Sequence, residues 1–418
     1  MRNDIGYRIK FHRERRNMTQ GELAEGIISV SYLSKIENGR ADAPEEVIDF
    51  LCKKLDIKLN SNDGKKIESI CKDWFEALFN QNLEKAHALY KEIEKNKESI
   101  TSNSLLNLVE IHILRYFLIH NKQREANLHY KKLRRLSKQF NEKESYYWLK
   151  FNGYYWFSLS SYNKALIYFQ KAERYLHFTF YEIDEEEYSL YYMIALTASY
   201  DKKARIVYEY ASKALQYYER KVKLKQAAEC HLLLGITFVR NKDFEDAIES
   251  FTLAQKIADT IDNKDLLATS LQNIGNLYSI LNKSKEAIAY YKQSYELRNT
   301  TQSKIVPINS LMIEYYKTQD IKKASYWLET GQRVLSEDNT PSIYRYELEV
   351  YNQLINGIVE KQLEKLVLNE VIPFLDNRGQ QHEKVPFLEL LANYYFDNRK
   401  YKLAAIYYNQ ALKIKSNL

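Results

Sequence analysis

Ser31, Lys35 and Asn38 fall on one side of a helix turning about 100° per residue, with Tyr32 on the flank and Val30, Leu33 and Ile36 opposite. Hydroxyls and amides match the donors and acceptors of base edges, and a lysine ammonium reaches guanine or phosphate. Gln20, at the start of the preceding helical stretch, can donate to a phosphate and set register. Ser29 and Arg40 flank the same segment, which makes Gln20, Ser29, Ser31, Tyr32, Lys35, Asn38 and Arg40 the candidate DNA contacts. Catalytic patterns are missing: there is no GxGxxG, P-loop or HExxH, and the eight His lack ligand spacing with Cys or carboxylates. Neither an enzyme nor a metal or cofactor site is expected.

Four short helices have to position these groups. Asp4 can cap a first helix with Ile5, Ile9 and Phe11 as its apolar positions, ending near Arg16. Thr19 with Glu22 three residues on is a capping box that starts a second helix, with Leu23, Ala24 and Ile27 inward. Ser29 is placed to cap the third helix and Gly39 to end it. Pro44 opens a fourth, whose buried side is Val47, Ile48, Leu51 and Leu55. The string MTQGELAEGIISVSYLSKIENGRADAP resembles the helix-turn-helix of the Xre/Cro repressor class. SVSYLSKIENG is similar to its variant in Gram-positive peptide-responsive regulators. In that class an Arg late in the first helix pairs with the Glu of IENG; Arg13 and Glu37 match, and the resemblance implies a structural role for them.

The chain has 418 residues and a net charge of +7, too mild for a binder that relies on charge alone. The basic residues of the first helix (Arg2, Arg8, Lys10, Arg13, Arg15 and Arg16) make any DNA affinity local. Mean hydropathy is −0.54 and no long apolar run occurs, so no membrane partner is expected. The front of the chain lacks the apolar stretch of a secretory signal, and the three Cys form no CxxC pair. These features point to a cytoplasmic protein with reduced thiols. Glycine and proline are scarce, and apolar residues recur every three or four positions, the pattern of an all-α chain.

Beyond the first 60 residues the sequence repeats. Gly235, Phe238, Ala247, Phe251 and Ala254 recur 40 residues on as Gly275, Tyr278, Ala287, Tyr291 and Ser294. The same spacing appears as Gly153, Trp156, Ala165, Phe169 and Ala172, and as Ala392, Tyr395, Ala404, Tyr408 and Ala411. Weaker copies centre on Ala86 with Tyr90, Ala126 with Tyr130, Ala204 with Tyr208 and Ala324 with Leu328, and a degenerate one is due around Leu363 to Leu366. Small residues let paired helices approach and aromatics fill the gap to the next pair, which accounts for most of the 36 Tyr. The expectation is an N-terminal helix-turn-helix domain at 1–60, then a right-handed superhelix of about nine tetratricopeptide-like hairpins at 61–418. The unit is longer than the usual one of about 34 residues. Polar residues on the inner helices are the candidate peptide contacts: Arg115, Gln272, Asn273, Asn276, Asn309 and Asn352. Asparagine amides clamp a peptide backbone from both sides, and arginine pairs with a carboxylate.

An Xre-type head joined to such repeats resembles the RRNPP family of Gram-positive quorum sensors and within it the NprR/PlcR-like branch, its size and repeat number being closest to NprR, with PlcR-like regulators shorter. The resemblance implies a cytoplasmic transcription regulator controlled by a short imported signalling peptide, and the small size of the head calls for a homodimer whose two heads sit about one helical turn apart on a near-palindromic operator. Two rival readings stand beside it: a protein-binding switch of the Rap/NprR kind that sequesters a phosphorelay protein, and a repeat scaffold without peptide ligand.

Overall fold

The computed structural model describes residues 2–16, 18–56, 63–97, 100, 102–179, 184–336, 342–357 and 360–416. Regular structure among them is helical throughout, and no described helix is long and apolar enough to cross a membrane.

The head consists of α1 (Arg2–Arg15), α2 (Gln20–Ala24), α3 (Val30–Glu37) and α4 (Glu45–Lys54). Thr19 and Glu22 form the reciprocal cap: Thr19 Oγ1 accepts the Glu22 N–H at 3.1 Å, and the Glu22 carboxylate accepts the Thr19 N–H at 2.6 Å. Ser29 Oγ accepts the Tyr32 N–H at 3.2 Å, and Gly39, at φ 65°, follows α3 in the left-handed region. Ile9, Leu23, Leu33, Leu51 and Leu55 form the fully buried centre. Val30 departs from expectation, being 48% exposed. It is the first residue of α3, so Leu33 and Ile36, one turn further in, anchor the helix instead. Gly6 in α1 permits a close crossing, because a Cβ there would collide with the Ile36 carbonyl. Phe11 packs against the core of the first hairpin, so α1 is covered on two sides.

Nine helical pairs follow among the described residues. They are α5 (Asp63–Phe79) with α6 (Leu83–Asn96), α7 (Asn103–Ile119) with α8 (Gln123–Leu136), and α9 (Glu142–Ser158) with α10 (Tyr162–Thr179). Next come α11 (Asp184–Tyr200) with α12 (Ala204–Arg220), α13 (Leu224–Asn241) with α14 (Phe244–Thr260), and α15 (Lys264–Ile280) with α16 (Ser284–Leu297). Then α17 (Thr301–Lys317) pairs with α18 (Ile321–Ser336). The first arm of the eighth pair is α19 (Ile343–Asn356); its second arm is broken into α20 (Glu360–Lys365), a π turn over Leu366–Val371, and α21 (Ile372–Asn377). The widened turn precedes Pro373, whose ring would crowd a regular helical carbonyl and which has no N–H to give. α22 (Lys384–Asp397) and α23 (Tyr401–Ser416) complete the series. The chain forms two compact units, Met1–Ser158 with Ile167–Glu182, and Leu159–Leu166 with Ile183–Leu418.

One contact recurs in the regular hairpins. Gly153, Gly235 and Gly275 on the first arms lie against the rings of Phe169, Phe251 and Tyr291 on the second arms. A Cβ on Gly275 would sit 2.6 Å from the Tyr291 ring, well inside carbon–carbon contact. Burying each ring is worth about 1.5–3 kcal/mol, and the glycine opposite makes room for it. The fourth hairpin corrects the expected register. Tyr208 is 54% exposed, and the buried positions of α12 include Val207, Ala211 and Ala214, which stand 40 before Ala247, Phe251 and Ala254.

The turns inside hairpins explain how so little glycine suffices. Gln81, Asn121, Lys202, Lys242, Asn282, Gln319 and Arg399 adopt left-handed φ between 54° and 68°. The next N–H then reaches back five residues, Asn82 to Ala77, Lys122 to Phe117, Asp243 to Phe238 and Lys283 to Tyr278, each at 2.9 Å. A side chain in that conformation costs roughly 1 kcal/mol per turn, which the burial of the two arms offsets.

Candidate DNA-reading helix and polar row of the repeats

α3 is fixed to the head by a buried ion pair. Arg13 Nε and Nη2 donate to the two carboxylate oxygens of Glu37 at 2.6 and 2.9 Å, and Arg13 Nη1 donates to the Met18 carbonyl at 2.8 Å. Glu37 is fully buried, and its bond to Arg13 holds the guanidinium pKa above its ordinary value. Gln20 Nε2 donates to the same carboxylate at 2.7 Å, so one proton of its amide joins the clamp.

Outside this clamp, Ser31, Lys35 and Arg40 are exposed. Tyr32 is half-buried and its hydroxyl donates to the Asp42 carbonyl at 2.8 Å, tying α3 to the loop before α4. Asn38 Nδ2 donates to the Ser34 carbonyl at 2.7 Å, and its Oδ1 accepts from Lys10 Nζ at 3.3 Å. Ser29 serves as the cap. The seven candidates therefore divide: Ser31, Lys35 and Arg40 face solvent, Ser29 and Asn38 are exposed as well but bonded within the head, and Gln20 and Tyr32 are half-buried and bonded there.

The repeat candidates divide as well. Gln272 on α15 donates to Ser310 Oγ on α17 at 2.9 Å, and Asn309 Nδ2 donates to the Glu347 carboxylate on α19 at 2.7 Å. Gln272 and Asn309 are each 5% exposed, and Gln272 Oε1 and Asn309 Oδ1 have no hydrogen-bond partner among the described residues. A buried oxygen left so costs about 1–3 kcal/mol. Asn276 is exposed, and its Oδ1 accepts from Tyr291 Oη at 2.9 Å. Asn273 Nδ2 returns to the Thr269 carbonyl of its own helix, and Asn352 Oδ1 accepts from Asn356 of its own helix at 2.7 Å. Arg115 belongs to the first unit, where its guanidinium lies 4.0 Å from the centre of the Tyr154 ring. The structure thus brings Gln272, Asn276 and Asn309 into one row and leaves Asn273, Asn352 and Arg115 outside it.

Sequence reasoning missed Ser310 and Glu347, which complete the row. Burial, with Glu383 nearby, pushes the Glu347 carboxyl up to about 7. A signal existed: Ser310 and Glu347 lie 38 positions after Gln272 and Asn309, close to the repeat spacing.

Residues 9–61 match a helix-turn-helix family, and residues 226–300 and 385–418 match tetratricopeptide-repeat families. The transcriptional activator NprA of Geobacillus stearothermophilus is 33% identical over 406 residues, covering 95% of this chain and 99% of that protein. The chain belongs to the RRNPP family. Two solved structures share the RRNPP fold at lower identity. A Rap protein complexed with competence and sporulation factor has a TM-score of 0.73 at 21% identity, covering 84% of this chain and 98% of that one. NprR in complex with its cognate peptide NprX has a TM-score of 0.66 at 17% identity, covering 85% and 99%. What these two share with the RRNPP chain is the array of helical hairpins.

Proposed function

We propose that this RRNPP chain is a cytoplasmic transcription regulator in which residues 1–60 read DNA and residues 61–418 dimerise and take up a short signalling peptide. Ser31, Lys35 and Arg40 make the contacts to bases and phosphates; Gln20, Ser29, Tyr32 and Asn38 keep the helix at the right angle. The observation that carries this reading is the exposure of Ser31 and Lys35 on a helix whose other side is clamped through Arg13 and Glu37. A single head of this size makes few contacts, so specific binding calls for two copies about one helical turn apart on a near-palindrome. The peptide lies along Gln272, Asn276 and Asn309, where unpaired buried oxygens await backbone N–H donors. Asn273 and Asn352, in the same unit, would then act at the ends of the peptide or only after a shift of their helices. Binding changes the spacing of the two heads by favouring one of two states of the dimer.

The test is a melting series with synthetic peptides copied from small secreted pro-peptides encoded beside the gene. A true ligand raises the melting temperature with concentration by mass action, and Asn309→Ala should abolish the rise. If no such peptide shifts the transition, the peptide reading fails. The likeness to a Rap protein favours a second reading, in which the repeats sequester a phosphorelay protein. On that reading, peptide displaces the protein partner and leaves DNA affinity unchanged.

A further inference from the structure

A cavity of about 430 Å³ lies within the first unit, between α1 of the head and helices α6, α7 and α8 of the first two hairpins. Sites for small ligands start at about 300 Å³. Phe11 of α1, Leu106, Ile113 and Phe117 of α7, and Leu136 of α8 supply the apolar walls. The polar lining includes Glu110, Lys97, His129 and Lys132, together with Glu94, which Lys97 holds at 3.2 Å, and Glu14, 3.6 Å from Arg13.

The hydrogen bonds of that lining decide what chemistry remains. Glu110, 4% exposed, receives Lys97 Nζ at 2.7 Å and Lys132 Nζ at 3.1 Å. Burial would raise its pKa, but Lys97, Lys132 and His129 outweigh burial and draw the carboxyl down to about 2. Its negative charge is therefore committed to the protein's own cations. His129 Nε2 lies 2.7 Å from the Glu110 carbonyl, and burial holds the imidazole below its ordinary pKa, so the neutral ring donates there. Lys132 is different. Its side chain is 55% exposed, and its bond to Glu110 uses one of three ammonium protons. The capacity left at the polar end is that of a donor with positive charge, at the rim of an apolar chamber.

We propose that this cavity is a binding site for small amphipathic carboxylates: one apolar ring or branched chain seated among Phe11, Ile113 and Phe117, with its carboxylate on Lys132. The site couples to the head through α1. The helix that roofs the cavity with Phe11 also carries Arg13, which clamps Glu37, and Lys10, which holds Asn38. An occupant stiffens α1 against the hairpins and so restricts the reading helix independently of any peptide in the repeats.

Calorimetric titration of the full chain with 4-phenylbutyrate and with its neutral amide tests the site. The acid should saturate one site per chain and bind about tenfold more tightly than the amide. Lys132→Met, at an exposed side chain, should bring the acid down to the affinity of the amide and leave the amide unchanged. Leu136→Trp, which fills the chamber, should weaken both by about tenfold or more, and hydrogen exchange in α1 should slow when the site is saturated with the acid. Equal binding of acid and amide, an acid affinity untouched by Lys132→Met, or no saturable binding of the acid would each overturn the proposal.

Discussion

At α3 the groups nearest the core, Arg13, Glu37 and Gln20, satisfy one another, and Ser31, Lys35 and Arg40 stand in solvent with nothing to hold. Along Gln272, Asn309 and Glu347 the arrangement is reversed. There the candidate groups are themselves buried or half-buried, their donors are bonded to neighbouring hairpins, and two oxygens have no partner. A surface that meets DNA can wait in water at no cost, because water satisfies it until a base edge replaces it. A row that waits inside stacked hairpins carries unmet hydrogen bonds, and a ligand that meets them is stabilised by removing that cost. The two regions should therefore respond in opposite ways to mutation.

The largest effect is expected where that contrast rests on charge. Arg13→Ala leaves Glu37 buried without its main partner and should destabilise the head by about 3–5 kcal/mol, read as a lower urea midpoint for the head. Replacing both partners, Arg13→Met with Glu37→Leu, should restore most of the loss. Restoration would show that the pair's value lies in mutual compensation; continued loss would show that the clamp's geometry itself is required.

Acid should separate the regions next. His112 stacks on Phe75 at 4.0 Å in the first unit, and burial depresses its pKa from the ordinary 6.5 to about 3. The unfolded chain then binds a proton that the folded chain refuses. Stability from this group is complete above pH 6.5 and falls as the pH drops from 6.5 towards 3, by about 2 kcal/mol at about pH 5. His112→Phe should flatten that part of the stability–pH curve.

In the regular hairpins, Gly275→Ala forces a methyl against the Tyr291 ring and should cost about 1–3 kcal/mol, with a smaller loss in the double variant Gly275→Ala, Tyr291→Leu. In the polar row the sign reverses. Glu347 is raised to about 7, so the folded chain keeps a proton that the unfolded chain releases above about 4.5. Folding loses stability between these values and stays lower above about pH 7. Glu347→Gln, which can still accept from Asn309, should stabilise the second unit by about 1 kcal/mol at about pH 8 and abolish the pH dependence there. Ser31→Ala and Lys35→Ala should change the melting transition least, by under about 0.5 kcal/mol.

Much of this organisation was legible in the residues. The glycine–aromatic–alanine spacing located the strict hairpins because one steric contact, ring on glycine, fixes three positions at once. Thr19, Glu22 and Ser29 announced the head's helices because capping is local chemistry. In α12 Ala204 with Tyr208 fits the alanine–aromatic spacing, but packing puts Val207 at the repeat's small-residue position and leaves Tyr208 exposed, which spacing alone does not reveal. Tyr32, Gln20 and Asn38 carried the right chemistry for DNA, but their partners, Asp42, Glu37 and Lys10, come together only through the tertiary fold. Glu347 was passed over for a related reason: a lone glutamate on an amphipathic helix looks solvated until the neighbouring hairpin brings Asn309 to it.

The most direct test of the account selects an operator from random DNA with the intact chain, then compares the wild type with the double variant Ser31→Ala, Lys35→Ala by fluorescence anisotropy. The account predicts a melting curve like that of the wild type and an affinity for the selected operator at least about tenfold weaker, from the loss of about 1–3 kcal/mol of base contact. Equal affinity for that operator would contradict it.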